Sequence, residues 1–225
     1  MKPEGNTILV TGGGSGIGRG LAEALHQKKN RVVIAGRRRD VLDRVVRDNP
    51  GMAAMTLDIE GPAAIRDFAR QLLSRFPDLD VVVHNAGIMR SEDLRQGAAH
   101  VADAEAMVTT NLLGPIRLTA ELMPHLLKRP SGAIVTVTSG LGFVPLAGAP
   151  TYSATKAALH SWTESLRYQM KDTKVEVIEL PPPYVQTELT GAHQASDPRA
   201  MPLHEFVEES MRLLFASKTP HEVLV

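Results

Sequence analysis

The stretch Ile8-Leu9-Val10-Thr11-Gly12-Gly13-Gly14-Ser15-Gly16-Ile17-Gly18 decides how this chain is read. A short β-branched run enters a glycine-rich turn, and an amphipathic segment follows to about Lys28. Strand, turn and helix in that order let the backbone approach a pyrophosphate at the helix N-terminus. A glycine-rich turn alone is a weak signal, and a plain strand-helix connection has the same composition. A Walker A loop needs Lys and then Ser or Thr after Gly-x-x-x-x-Gly. Gly13 to Gly18 is followed instead by Arg19-Gly20, which disfavours a triphosphate site.

Working outward, the same alternation continues to the end of the chain. Arg31 to Ala35 leads into Arg38 to Asp48, and Ala53 to Leu57 into Ala63 to Phe76. Val81 to Val83 precedes a long helix from about Ala102 to Leu127. Ala133 to Val137 precedes a helix from Tyr152 to Lys171, and Val175 to Leu180 precedes one near Leu203 to Ala216. The chain closes on a predicted last strand, Glu222-Val223-Leu224-Val225. Continuous apolar strands alternating with helices predict an α/β fold, a parallel sheet of about seven strands with helices on both faces. Ligands bind such sheets beyond the carboxyl ends of the strands. No repeat or linker divides residues 1–225, so a single domain is expected.

Composition narrows the partners. Lys plus Arg and Asp plus Glu number 25 each, so neither a nucleic acid nor an anionic membrane is implied. A small, near-neutral ligand fits better. The absence of Cys removes disulfide and thiolate chemistry and is compatible with a reducing compartment. Without an apolar leader after Met1 or a run of 18 apolar residues, a soluble, cytoplasmic protein is expected.

The chemistry-bearing residues fall at the carboxyl ends of the predicted strands. The second strand ends in Gly36-Arg37-Arg38-Arg39, where an acidic residue would take a ribose 2′-hydroxyl and arginines a 2′-phosphate. Arg37, then Arg38, are therefore candidates for preferring NADP(H) over NAD(H), although a solvated basic helix start reads the same way. Asp58 with Ile59, and His84-Asn85-Ala86-Gly87, follow the third and fourth strands and could be Asx turns alone. Asn111 sits inside the long helix, where Pro115 cannot supply the N–H that would bond its carbonyl. Ser139 lies just past the fifth strand, without the glycines of a hydrolase nucleophile elbow. Tyr152 and Lys156 are four apart on the next helix and share a face. A cation roughly 5 Å from a phenol, in an effective dielectric near 20, favours the phenolate by about 3 kcal/mol, or roughly two pKa units. Pro181-Pro182-Pro183 make a rigid exit from the sixth strand toward Val185 and Thr187. Residues 188–202 read as a mobile cover or a surface loop. The histidines show no metal-ligand spacing, and no metal is expected.

Together these residues resemble the short-chain dehydrogenase/reductase family of Rossmann-type, doubly wound oxidoreductases, over essentially the whole chain. The motifs are T-G-x-x-x-G-x-G at Thr11 to Gly18, N-A-G at Asn85 to Gly87, the helical Asn111, Ser139, and Tyr152 with Lys156. LGPIRLTAELMPHLL and PTYSATKAALHSWTESLRYQMKD are similar to the DltE-like branch. The resemblance implies that Tyr152 exchanges a proton with a carbonyl or alcohol oxygen that Ser139 orients. It also implies that Lys156 lowers the tyrosine pKa and holds the nicotinamide ribose, while Asn111 fixes a relay water. It places Asp58 at the adenine amine, Asn85 on the adenine-side wall, and Val185 and Thr187 at the carboxamide, and it suggests a homodimer or homotetramer. His84 departs from the Asn more usual before Asn85, and Pro183 from the Gly common after Pro. The expected activity is hydride transfer between NADP(H) and a carbonyl or alcohol; a non-catalytic NADP-binding sensor or scaffold is the alternative.

Overall fold

Adjacent residues of each strand bury apolar side chains on opposite sides of one sheet, which is why the strands read as unbroken hydrophobic runs. The computed structural model describes residues 1–216 and 220–225. Its strands are β1 (Thr7–Thr11), β2 (Arg31–Gly36), β3 (Ala53–Thr56), β4 (Leu79–His84), β5 (Gly132–Val137) and β6 (Val175–Leu180). All pair in parallel, in the order β3-β2-β1-β4-β5-β6. The helices are α1 (Gly16–Gln27), α2 (Arg39–Asp48), α3 (Pro62–Arg75), α4 (Val101–Val108), α5 (Gly114–Leu126), α6 (Pro150–Met170), α7 (Ala192–Ala195) and α8 (Leu203–Leu214). Ile8, Val10, Val32 and Ile34 pack with Leu21, Leu42 and Phe206 of α1, α2 and α8. Leu9, Val33, Val82 and Ile134 face the other way, against Phe68, Leu118 and Leu166 of α3, α5 and α6. The strand order reverses between β1 and β4, the position beyond whose carboxyl ends sheets of this kind bind ligands. Among the described residues no helix is long and apolar enough to cross a membrane.

Two expectations are corrected. The long helix predicted over Ala102 to Leu127 is interrupted by a π-turn at Thr109–Leu113, where the Gly114 N–H reaches back five residues to the Thr109 carbonyl. Pro115, one residue into α5, cannot donate to Asn111, and the chain widens instead of kinking. The seventh strand is the other correction. Glu222 makes a single bridge to Glu179, through Glu179 N–H to the His221 carbonyl (2.9 Å) and Val223 N–H to the Glu179 carbonyl (2.8 Å). The ladder is stopped on both sides. The next donor along β6 is Pro181, which has no N–H, and the preceding acceptor, the Val177 carbonyl, takes the Arg167 guanidinium at 3.1 Å.

Candidate active site

At the β1/β4 reversal, hydrogen bonds lock the glycine turn to the neighbouring strand. The Thr11 hydroxyl donates to the Val83 carbonyl (3.2 Å) and accepts from the N–H groups of Asn85 (3.0 Å) and Ala86 (3.1 Å). The Asn85 amide donates back to the Thr11 carbonyl at 3.0 Å. Gly12 has φ +67°, and a Cβ there would stand 2.8 Å from Asn85 Nδ2; one at Gly18 would collide with the same atom. Asn85 therefore braces the turn itself, which refines its expected place on the adenine-side wall. The turn delivers Gly14, Ser15, Gly16 and Ile17 to the start of α1, where Ser15 makes no side-chain cap bond. The first N–H groups of α1 point out of the helix as an anion-binding end, a cradle that suits a pyrophosphate.

Farther along the edge, the three arginines behave differently. Arg37 is paired with Glu60 at 3.1 Å and Arg39 with Asp43 at 2.8 Å, while Arg38, at the N-cap of α2, has no ion pair among the described residues. Asp58 accepts from the Glu60 N–H (3.1 Å) as an Asx turn, and Ile59 is buried against Gly114.

The second cluster assembles at the end of β5. The Ser139 hydroxyl accepts from the Leu141 N–H (3.1 Å) and opens a single turn at Gly140–Gly142. That turn rides on α6, so a Cβ at Gly142 would touch the Lys156 backbone at 3.0 Å. Tyr152 and Lys156 are 6% and 4% exposed, and Lys156 Nζ lies 5.7 Å from the tyrosine ring centre. Asn111 is buried: its Oδ1 accepts from the Ile88 N–H (2.9 Å), and its amide donates to the Ile88 carbonyl (2.9 Å) and the Thr155 hydroxyl (3.2 Å). A Cβ on Gly87 would sit 3.3 Å from Asn111 Oδ1 and 3.8 Å from Lys156 Nζ, so the Asn85-Ala86-Gly87 turn joins the two clusters.

The electrostatics reverse one expectation. Burial pushes the Tyr152 phenol up to about 12, with a hydrogen bond to the Ser139 side chain pulling the other way. Burial also brings the Lys156 ammonium down to about 8. Helical spacing put the two groups side by side as expected, but burial is the leading cause of both shifts, and the ammonium donates to the Val137 carbonyl at 2.8 Å.

The segment after β6 is knitted together. The Gly140 N–H donates to the Pro182 carbonyl (2.9 Å), and Thr187 stands 3.5 Å from where a Gly16 Cβ would be. Gln194, 5% exposed, donates to the Val185 carbonyl (2.8 Å) and the Thr187 hydroxyl (3.1 Å) and accepts from Thr190. Val185 also bridges to Met201.

Sequence reasoning missed three groups. Glu92 is buried and accepts the N–H (2.8 Å) and hydroxyl (2.7 Å) of Thr151, capping α6 one residue before Tyr152. The signal was Ala149, an N-cap residue with no capping side chain. Thr155 links Asn111 to the Tyr152 carbonyl (2.7 Å). His160, Glu179 and Glu222 bring ligand-type atoms within 4.8 Å of one another. Glu179 is satisfied there by His160 (2.8 Å) and the Thr138 hydroxyl (2.6 Å), contacts from three separate elements that spacing does not reveal. His84 is buried against the Thr119 hydroxyl (2.8 Å), and burial lowers its pKa to about 4.

Comparison with known proteins agrees with this architecture. Residues 6–198 match the family model described as short chain dehydrogenase. The chain is 42% identical over 189 residues to an uncharacterized oxidoreductase, DltE, of Bacillus subtilis (strain 168), covering 84% of this chain and 75% of the relative. It superposes on the closed form of serine dehydrogenase complexed with NADP+ with a TM-score of 0.85 at 26% identity, over 93% of this chain and 89% of the other. The 3-ketoacyl-(acyl-carrier-protein) reductase of Brucella melitensis, complexed with NADH, gives 0.85 at 26% identity, over 94% and 91%. A six-stranded parallel sheet reversing at β1/β4, a glycine turn braced by Asn85, and this match over most of the length make the chain a member of the short-chain dehydrogenase/reductase family of oxidoreductases, similar to DltE.

Proposed function

We propose that this enzyme interconverts a carbonyl compound and its alcohol with NADP(H), using Tyr152 as the proton donor and acceptor. The observation that carries the reading is the convergence of Tyr152, Lys156, the Ser139 strand end and Asn111 beside the β4 turn that braces the glycine loop. Thr11, Gly12, Gly14, Ser15, Gly16, Ile17 and Gly18 form the pyrophosphate end of the site. Asp58, Ile59, Asn85, Ala86 and Gly87 line its adenine side, and Pro182, Val185 and Thr187 its nicotinamide side. Arg37 and Arg38, with no acidic residue ending β2, support NADP(H) over NAD(H). A bound nicotinamide dinucleotide supplies the hydride in reduction and accepts it in oxidation.

The chain's own residues handle the proton. At neutral pH the Tyr152 phenol is protonated, so it is ready to give its proton to the carbonyl oxygen. The Ser139 side chain is already hydrogen-bonded with the Tyr152 phenol while accepting from the Leu141 N–H, so the two hydroxyls face one point and Ser139 can turn its donor to the same oxygen. Lys156, charged below about pH 8, steadies the phenolate that donation leaves behind. Pro115 denies the Asn111 carbonyl its usual helical donor, which supports a relay water at that oxygen. In the test, carbonyls and alcohols are screened for a change in NADPH absorbance, with wild type and Tyr152→Phe side by side. The variant should retain dinucleotide binding and lose turnover by on the order of 10²–10⁴-fold. Turnover at the wild-type rate would overturn the assignment.

A further inference from the structure

Glu60 is the least expected charge on the dinucleotide edge. Its Oε1 accepts from Arg37 Nη1 (3.1 Å) and from the hydroxyl of Thr110 (3.1 Å), a residue only 4% exposed. Its backbone is tied at both ends: the N–H to Asp58 Oδ1 (3.1 Å) and the carbonyl to Arg117 Nη1 (3.2 Å). The Glu60 carboxylate is thus tied to the π-turn through Thr110, and its backbone to α5 through Arg117. It occupies the arginine that follows β2.

From this arrangement we infer that Glu60 determines dinucleotide specificity by competing with a 2′-phosphate for Arg37. The inference rests on the reading that this edge holds the adenosine end of NADP(H). A phosphate arriving there must take Arg37 from a carboxylate that the Thr110 hydroxyl also holds, and it meets that carboxylate's repulsion as well. The uncharged 2′-hydroxyl of NAD(H) faces neither cost. Arg38, at the N-cap of α2 and without an ion pair among the described residues, then becomes the first cation a phosphate engages. Arg37 contributes only after it exchanges partners.

Dissociation constants of NADPH and NADH, measured by calorimetry for wild type, Glu60→Gln, Arg37→Ala and the double variant, test this directly. Gln keeps an oxygen for Thr110, so the π-turn retains its tie. Glu60→Gln should tighten NADPH about three- to tenfold, the scale of an exposed ion pair plus the removed repulsion, and move NADH less than about twofold. Arg37→Ala should cost more NADPH affinity in the Glu60→Gln background than in wild type, the mark of a coupled pair. Unchanged or weaker NADPH binding in Glu60→Gln, or an equal shift for NADH, overturns the inference while leaving the enzyme reading intact. A wild-type protein that binds neither dinucleotide overturns both. Should Glu60→Gln not fold, the single variants decide: a greater NADPH loss from Arg38→Ala than from Arg37→Ala is expected, and the reverse order refutes it.

Discussion

The exits of β4 and β5 are neighbours in the sheet, yet they hold polar groups in opposite condition. At β4, Thr11 and Asn85 satisfy one another and the turn between them, and the buried His84 stays neutral. At β5, a phenol and an ammonium are buried with their pKa values displaced toward the uncharged forms. At the first exit, hydrogen bonds within the protein tie the glycine turn to the strand end. The second holds a lysine at the margin of its charge, where a small change of surroundings moves a proton. Hydrogen bonding at one strand end and desolvation at the next thus set the condition of their polar groups.

The contrast can be broken most sharply by pH. With the Lys156 pKa brought down to about 8, the ammonium exists below that pH and is lost above it. Carbonyl reduction should therefore hold level to about pH 8 and then fall about tenfold per pH unit, read as kcat/KM between pH 6 and 10. A flat profile would mean that the charge at β5 has no part in turnover.

At β4 the expected effects are on stability. Thr11→Val leaves the Asn85 and Ala86 N–H groups without their acceptor and should cost up to about 3 kcal/mol in denaturant unfolding. NADPH affinity should fall along with it, because the glycine turn loses its brace. His84 offers a finer probe. Its folded pKa is depressed to about 4, so between there and its unfolded value of 6.5 the unfolded chain binds the extra proton. Stability must then rise with pH across that window, and about 2 kcal/mol should be lost on going from pH 7 to pH 5. His84→Asn, which cannot titrate, should flatten this slope while leaving the fold in place; an unchanged slope would assign the acid sensitivity to other groups.

The fold was legible because its signals lie between near neighbours. Alternating apolar runs and helices marked the strands, and the glycine turn with its flanking strand and helix marked the β1–α1 connection at the carboxyl edge of the sheet. Tyr152 and Lys156 came within reach because helical geometry alone puts positions four apart on one face. The π-turn was half visible: Pro115 announced that something happens at Asn111, but the widening depends on how the helix packs. The last strand was overcalled because its pattern is correct, with Val223 buried and Leu224 exposed, while the stop lies in its partner's Pro181 and Arg167.

The amino-acid order by itself determined the succession of strands and helices and the residue types gathered at the carboxyl edge of the sheet, since periodicity and spacing are local. Only the tertiary structure decided which way the tyrosine and lysine titrate, because desolvation depends on everything packed around them. It alone decided that Glu60 claims Arg37 and that Glu92 caps the tyrosine helix: those partners stand 23 and 59 residues apart in the chain, and packing is what makes them neighbours.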